Sequence, residues 1–114
     1  MARRKSRKSE RKRSKRPAKR ENLLDLVRQH VDTGSYLDTR HVVERKQERD
    51  ITLPEVLQVL RRGFWEKRKD EYKMEHPSWN YAIRGKTVDG RELRVIVAFL
   101  APHMLLITAI DLNL

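Results

Sequence analysis

From Glu21 the apolar residues recur at helical spacing. Leu23, Leu24, Val27 and Val31 share one face, and Thr33-Gly34-Ser35 supplies the stop, which predicts an amphipathic helix over Glu21–Val31. His30 lies beside that stripe, where a partly buried, hydrogen-bonded histidine is expected. Tyr36 and Leu37 lead into Asp38 or Thr39, either of which can cap a second helix running from about Thr39 to Arg49 and anchored by Val42 and Val43. Ile51 ends that polar run. Thr52-Leu53-Pro54-Glu55 then has capping-box spacing with proline just inside the start. Leu53, Val56, Leu57 and Leu60 follow at i, i+3, i+4 and i+7, a core stripe closed by Gly63.

After Phe64 and Trp65 comes a charged stretch, Glu66 to Glu75, readable as a loop or as a short edge strand whose charges discourage further pairing. From Trp79 the period changes to two. Trp79, Tyr81 and Ile83 alternate with Asn80, Ala82 and Arg84, and Leu93, Val95, Val97 and Phe99 resume the alternation beyond Asp89-Gly90. A two-residue type I′ turn at Asp89-Gly90 pairs Val88 with Arg91, which sets Gly85 opposite Arg94 and Ile83 opposite Ile96. Ala101-Pro102-His103 breaks the run. Met104 to Leu112 forms a last strand, apolar on both faces and therefore expected to be central. The elements predict an α+β domain over residues 21–114, with two to three N-terminal helices packed on an antiparallel β-meander of three or four strands.

Charge changes the picture at one end only. Met1 to Arg20 holds twelve of the 27 Lys and Arg residues against the single Glu10, so the remainder of the chain is formally neutral although the whole carries +11. Residues 1–20 read as a disordered basic tail, too poor in apolar residues to offset the entropy of ordering. Such an arm suits polyanions, and a solubilising tail or a targeting signal is the blander reading. The absence of cysteine removes disulfides and thiolate metal sites. The longest apolar run, Val95 to Ala101, falls far short of the roughly 20 residues that span a bilayer. A soluble, cytoplasmic protein with no membrane partner is expected.

His41, Arg45 and Arg49 recur every four residues and so share a helical face without an apolar member. The residues offer no zinc-ligand set, no Gly-rich phosphate loop and no nucleophile elbow, and no cofactor is expected. What remains is histidine, arginine, lysine and tyrosine. That set suits metal-independent RNA cleavage, in which the substrate's 2′-hydroxyl attacks the adjacent phosphorus. His41 would move the proton and Arg45 would hold the phosphate, with Arg94 as a second phosphate ligand and Arg49 beside them. Tyr72, Tyr81 and Trp79 could stack bases, although aromatic residues more often fill a sheet face. An Arg/Glu-rich helix is also commonly a solvated surface stitched by ion pairs, for which Glu44, Glu48 and Asp50 are available.

The pattern Thr39-x-His41-x-x-x-Arg45, then Arg49-x-Ile51-Thr52, then Glu55-Val56-x-x-Val59-Leu60-x-x-Gly63, with Leu93-Arg94-Val95-Ile96-Val97 and Ile107-Thr108-Ala109, resembles a family of small bacterial domains of unknown function, number 4258. The resemblance covers roughly Leu37 to Leu112 and leaves out the tail. That family looks like a branch of the barnase, EndoU, colicin and RelE group of ribonuclease folds. It implies a RelE-like toxin of a toxin–antitoxin pair, an endoribonuclease acting on RNA, either free or ribosome-associated, and neutralised by an antitoxin of zinc-ribbon or helix-turn-helix type. Carried over by position, His41 and Arg45 match the polar pair on the helix, and Arg94 and Thr108 match the polar positions on the sheet. Val42 replaces the small residue that commonly follows the histidine. The rival expectation is an RNA- or ribosome-binding module that grips without cutting.

Overall fold

The two apolar stripes at Leu23 and Leu53 form the two α-helices that a computed structural model shows, and both bury them against one face of a sheet. The structure describes residues 16–40, 51–75 and 77–113. Helix α1 spans Leu23–Thr33 and buries Leu23, Val27 and Val31. Gly34 ends it in the left-handed conformation (φ 70°), and the following Ser35 N–H donates back to the His30 carbonyl at 2.9 Å. Helix α2 spans Leu53–Arg62 and buries Val56, Val59 and Leu60. Its expected capping box is present, with the Thr52 side chain accepting from Glu55 N–H and the Glu55 carboxylate accepting from Thr52 N–H. The helix expected over Thr39–Arg49 falls, from residue 41 onward, outside the described residues.

The strands are β1 (Tyr36–Asp38), β2 (Phe64–Trp65), β3 (Glu71–Lys73), β4 (Ser78–Lys86), β5 (Glu92–Leu100) and β6 (His103–Asp111), with a single 3₁₀ turn at Lys67–Lys69 between β2 and β3. They make one six-stranded sheet in the order β1-β6-β5-β4-β2, and β3 pairs with the other half of β4. This corrects the helices-first meander. Among the described residues one helix precedes the first strand, and the sheet is mixed because β1 lies parallel to β6, with Tyr36 opposite Met104. Three residues carry no readable alternation. Their partner lies across nearly the whole domain, so only the folded sheet reveals them. β6 is flanked on both sides, as its two apolar faces require.

The hairpin register also departs by one residue. Thr87 N–H donates to the Arg91 carbonyl, so the loop holds Val88, Asp89 and Gly90, with Gly90 at φ 84°. This is a three-residue connection with glycine in the left-handed position instead of a two-residue type I′ turn. Asp89 stays in the loop because it accepts from the Thr87 hydroxyl, which lowers the pKa of its carboxyl. Consequently Arg84, and not Gly85, faces Arg94, and Ile83 faces Val95. A second irregularity sits in β6, where Ile96 pairs with Thr108 but Val97 pairs with Leu106. Ile107 is the extra residue of a β-bulge. It lets Met104 and Leu106 before it and Ala109 after it all turn to the helices, and it leaves Thr108 on the other side.

The core lies between that face and the helices, with Tyr81, Ile83, Leu93, Val95, Val97, Met104, Leu106 and Ala109 buried against α1 and α2. Helix α2 ends where it crosses β4, and Gly63 meets Gly85 there. A Cβ on Gly63 would stand 2.5 Å from the Arg84 carbonyl oxygen, and one on Gly85 would stand 2.9 Å from the Gly63 Cα. The Gly63 carbonyl accepts from Arg28 Nη2 of α1 at 3.0 Å, which ties both helices to this crossing. No helix among the described residues is long and apolar enough to cross a membrane. Because the obstruction is backbone, Gly63→Ala is expected to lower the urea-unfolding free energy by about 1–3 kcal/mol, the usual cost of overpacking. A loss under about 0.5 kcal/mol would show that the crossing is looser than described.

Candidate functional site

Among the described residues both helices cover one face of the sheet, so alternation alone decides which side chains stand on the other, free of described helices. That helix-free face carries Asn80, Ala82 and Arg84 from β4, Arg94, Ile96 and Ala98 from β5, and Leu105, Thr108 and Ile110 from β6, by their register. Phe64, opposite Arg84, is 53% exposed. Glu66 follows β2, and its N–H donates to the Ala82 carbonyl.

Glu66 is the centre of this face. Its side chain is 5% exposed, and one oxygen accepts from Arg94 Nε at 2.7 Å while the other accepts from Arg94 Nη2 and Arg84 Nη1, each at 3.2 Å. Arg84 Nε donates in turn to Glu92 at 2.9 Å. The Arg94 hydrogen bond is the largest reason that the Glu66 carboxyl is held below its ordinary value, with Arg84 adding to it and burial opposing. Arg84 likewise holds Glu92 low. Both carboxylates stay charged and both guanidiniums are fixed in orientation, as a fork-on-carboxylate contact requires.

The sheet brings Arg94 and Thr108 together on this face, since Arg94 faces Ile110 and Thr108 lies two residues before it on β6. It sets Tyr72 and Tyr81 elsewhere. Tyr81 is 3% exposed on the helix side, edge-on to Trp65 and 6.0 Å from Phe99, and its hydroxyl accepts from Arg20 N–H at 3.0 Å. Its ring therefore packs and offers no open face to a base. Tyr72 pairs with Trp79 across β3 and β4, ring edge to ring face. His41, Arg45 and Arg49 lie outside the described residues. The chain that leads to them is placed, however. Thr39 binds the Leu106 carbonyl through both N–H and hydroxyl, and Arg40 grips Asp38 and donates to the Ile51 carbonyl at 3.0 Å. The two described ends of that segment are thus joined beside β6, two residues from Thr108. His30 packs against Phe99 and hydrogen-bonds Leu26, as its position beside the α1 stripe implied.

Further along the same face lies an open hollow of about 710 Å³. Ser78, Asn80, Ala98, Leu105 and Ile107 line it. Ala98 is four residues from Arg94 on β5, so the hollow and the guanidinium pair are about 13 Å apart at strand rise.

The sequence profile described as Domain of unknown function (DUF4258) matches residues 39–111. The chain belongs to the DUF4258 family. The DUF4258 region takes in Glu66, Arg84, Arg94 and Thr108 and begins after α1, so α1 and the basic arm lie outside the matched segment. No curated protein and no solved structure shows a significant match to the chain.

Sequence reasoning passed over Glu66 and Arg84. The signal was available in the alternation, which puts Arg84 and Arg94 on one face, a pairing of like charges that needs a carboxylate between them. Removing that carboxylate in Glu66→Ala is expected to cost about 3 kcal/mol, since it strands partly buried guanidiniums. Because the folded-state pKa of Glu66 is depressed, its contribution is complete above the ordinary value of 4.5 and is lost as pH falls below it. Thermal unfolding of Glu66→Gln should therefore lose less stability than the parent on acidification below that value, and equal acid slopes would contradict the assignment.

Proposed function

We propose that this protein is a RelE-like, toxin-type endoribonuclease that cleaves RNA without a metal, and that its helix-free sheet face receives the substrate. The observation that carries this reading is the pair of guanidiniums, Arg84 and Arg94, held side by side by one buried carboxylate on a face that neither described helix covers, with Thr108 next to them. Donors fixed before the substrate arrives cost no reorganisation when charge develops on phosphorus. The hollow on the same face is deep enough to accept an unstacked base, with Asn80 and Ser78 offering hydrogen bonds above an apolar floor.

In the reaction the 2′-oxygen bonds to phosphorus and the bond to the 5′-oxygen breaks. The 2′-hydroxyl gives up its proton and the leaving 5′-oxygen takes one, which produces a 2′,3′-cyclic phosphate and a 5′-hydroxyl. His41 moves the proton, and Arg45 and Arg94 hold the phosphoryl oxygens. Arg49 and Thr108 serve as outlying substrate contacts. The place where the chain leaves β1, beside Leu106, supports a shared site for the His41 segment and the sheet. The proposal includes a cytoplasmic setting and an antitoxin partner of zinc-ribbon or helix-turn-helix type, because a free ribonuclease would damage its own cell.

One observation favours a second reading, an RNA- or ribosome-binding module that does not cut. Glu66 already occupies two donors of Arg94 and offsets its charge. A single assay separates the two. With RNA in the presence of chelator, the ribonuclease reading expects cleavage that falls about 100-fold in Arg94→Ala, the usual loss for one such donor, and at least as far in His41→Ala. Parental rates in both variants would refute the catalytic assignment, and RNA retention without cleavage by the parent would establish the binding module.

A further inference from the structure

The root of the basic arm is pinned to the domain by contacts along its length. Pro17 carbonyl accepts from Trp79 Nε1 at 2.7 Å, and Arg20 N–H donates to the Tyr81 hydroxyl at 3.0 Å. Between them Lys19 Nζ reaches the fully buried Asp70 side chain at 3.1 Å and lies 4.6 Å above the Trp79 ring. Asp70 is held in place by Trp65 Nε1 and by Ala82 N–H, each at 2.9 Å. These partners are fixed on β4 and just before β3, so the arm root has a defined course across β4 toward α1.

That course lays cations on rings. Arg16 lies 5.9 Å from the Tyr72 centroid and 6.0 Å from that of Trp79, Arg20 lies 5.6 Å from Phe99, and Lys67 lies 4.7 Å from Trp65. The resulting ledge is on the helix side of the sheet, away from Arg84 and Arg94. Its charges differ in kind from those of the other face. Arg84 and Arg94 each hold a carboxylate. Among the described residues no carboxylate lies within ion-pair distance of Arg16, Arg20 or Lys67, and all three are exposed. An arginine resting on an aromatic ring uses its flat face there and keeps its N–H edge for another acceptor.

We infer that this ledge is a docking surface for the sugar–phosphate backbone of RNA, separate from the sheet face where cleavage is placed. A polyanion with regularly spaced phosphates complements a row of unpaired, aromatic-backed cations. Their side chains are already ordered by the rings and the strands, so less freedom is lost on binding than on a loose tail. The inference rests on RNA being the partner, as proposed above, but not on its being cut.

The test uses the full chain and a 2′-O-methyl RNA 20-mer of mixed sequence, which lacks the attacking hydroxyl and cannot be cleaved. Binding is followed by fluorescence anisotropy between 50 and 200 mM salt. Neutralising the ledge in Arg16→Gln/Arg20→Gln/Lys67→Gln should reduce the slope of log affinity against log salt by about 2, near 0.7 per lost phosphate contact. The control Arg61→Gln/Arg62→Gln/Lys86→Gln, which removes three exposed cations elsewhere, should change it by less than half as much. An unaltered slope in the ledge variant, or an equal fall in the control, overturns the ledge. Circular dichroism on each variant identifies a folding defect, and a single Lys67→Gln, on a fully exposed side chain, must then show a fall of about 0.7 or the ledge is likewise rejected. A parent that binds with the expected slope but never cleaves ordinary RNA removes the ribonuclease reading and leaves the ledge standing. Cleavage with no ledge effect does the reverse.

Discussion

One carboxylate joins three parts of the chain. Glu66 leaves the end of β2, receives Arg84 from β4 and receives Arg94 from β5, and hardly any of it meets water. Two guanidiniums cannot stand opposite each other on neighbouring strands without an anion between them, since like charges in direct register repel. The pair Arg84–Arg94 is in that register. Glu66 therefore decides where the short β2 lies against β4, and it decides that both arginines point across the face instead of folding back on the strands. Burial of the ion network is tolerated because every partner is satisfied in turn, Glu92 completing the row.

The helices contribute by leaving this face alone. Gly63 and Gly85 let α2 end in direct backbone contact with β4, so Val59 of α2 and Ile83 of β4 are both fully buried. The Ile107 bulge does the complementary work on β6. It keeps the apolar residues on both sides of it in the core while holding Thr108 outward beside Arg94. Packing on one side of the sheet and chemistry on the other follow from one close approach and one inserted residue.

Local rules made much of this legible. Both described helices, the capping box of α2, the alternation of β4 and β5 and the central place of β6 follow from periodicity and capping residues. The parts that were not legible are those fixed by partners distant in sequence. β1 is three residues long and is recognised only by its parallel neighbour. The hairpin register turned on whether Thr87 or Val88 closes the loop, and a hydroxyl–carboxylate contact settled it. That single step moved Arg84 opposite Arg94 and changed the picture from an arginine above an empty glycine to a carboxylate-bridged pair. The arm was read as a uniform basic run, yet its last five residues depend on an indole N–H and a phenol that composition cannot place.

The outermost strands bear on how such a molecule survives at high concentration. A sheet with a bare face and long unpaired borders would invite other copies to extend it, backbone to backbone. Here one border is β1, of three residues, and the other is divided between β2, of two, and β3, of three. Along the border divided between β2 and β3 a visiting strand would find too few consecutive amides and carbonyls to hold it. The protein can keep a surface open for a ligand without that openness becoming a seed for fibrils.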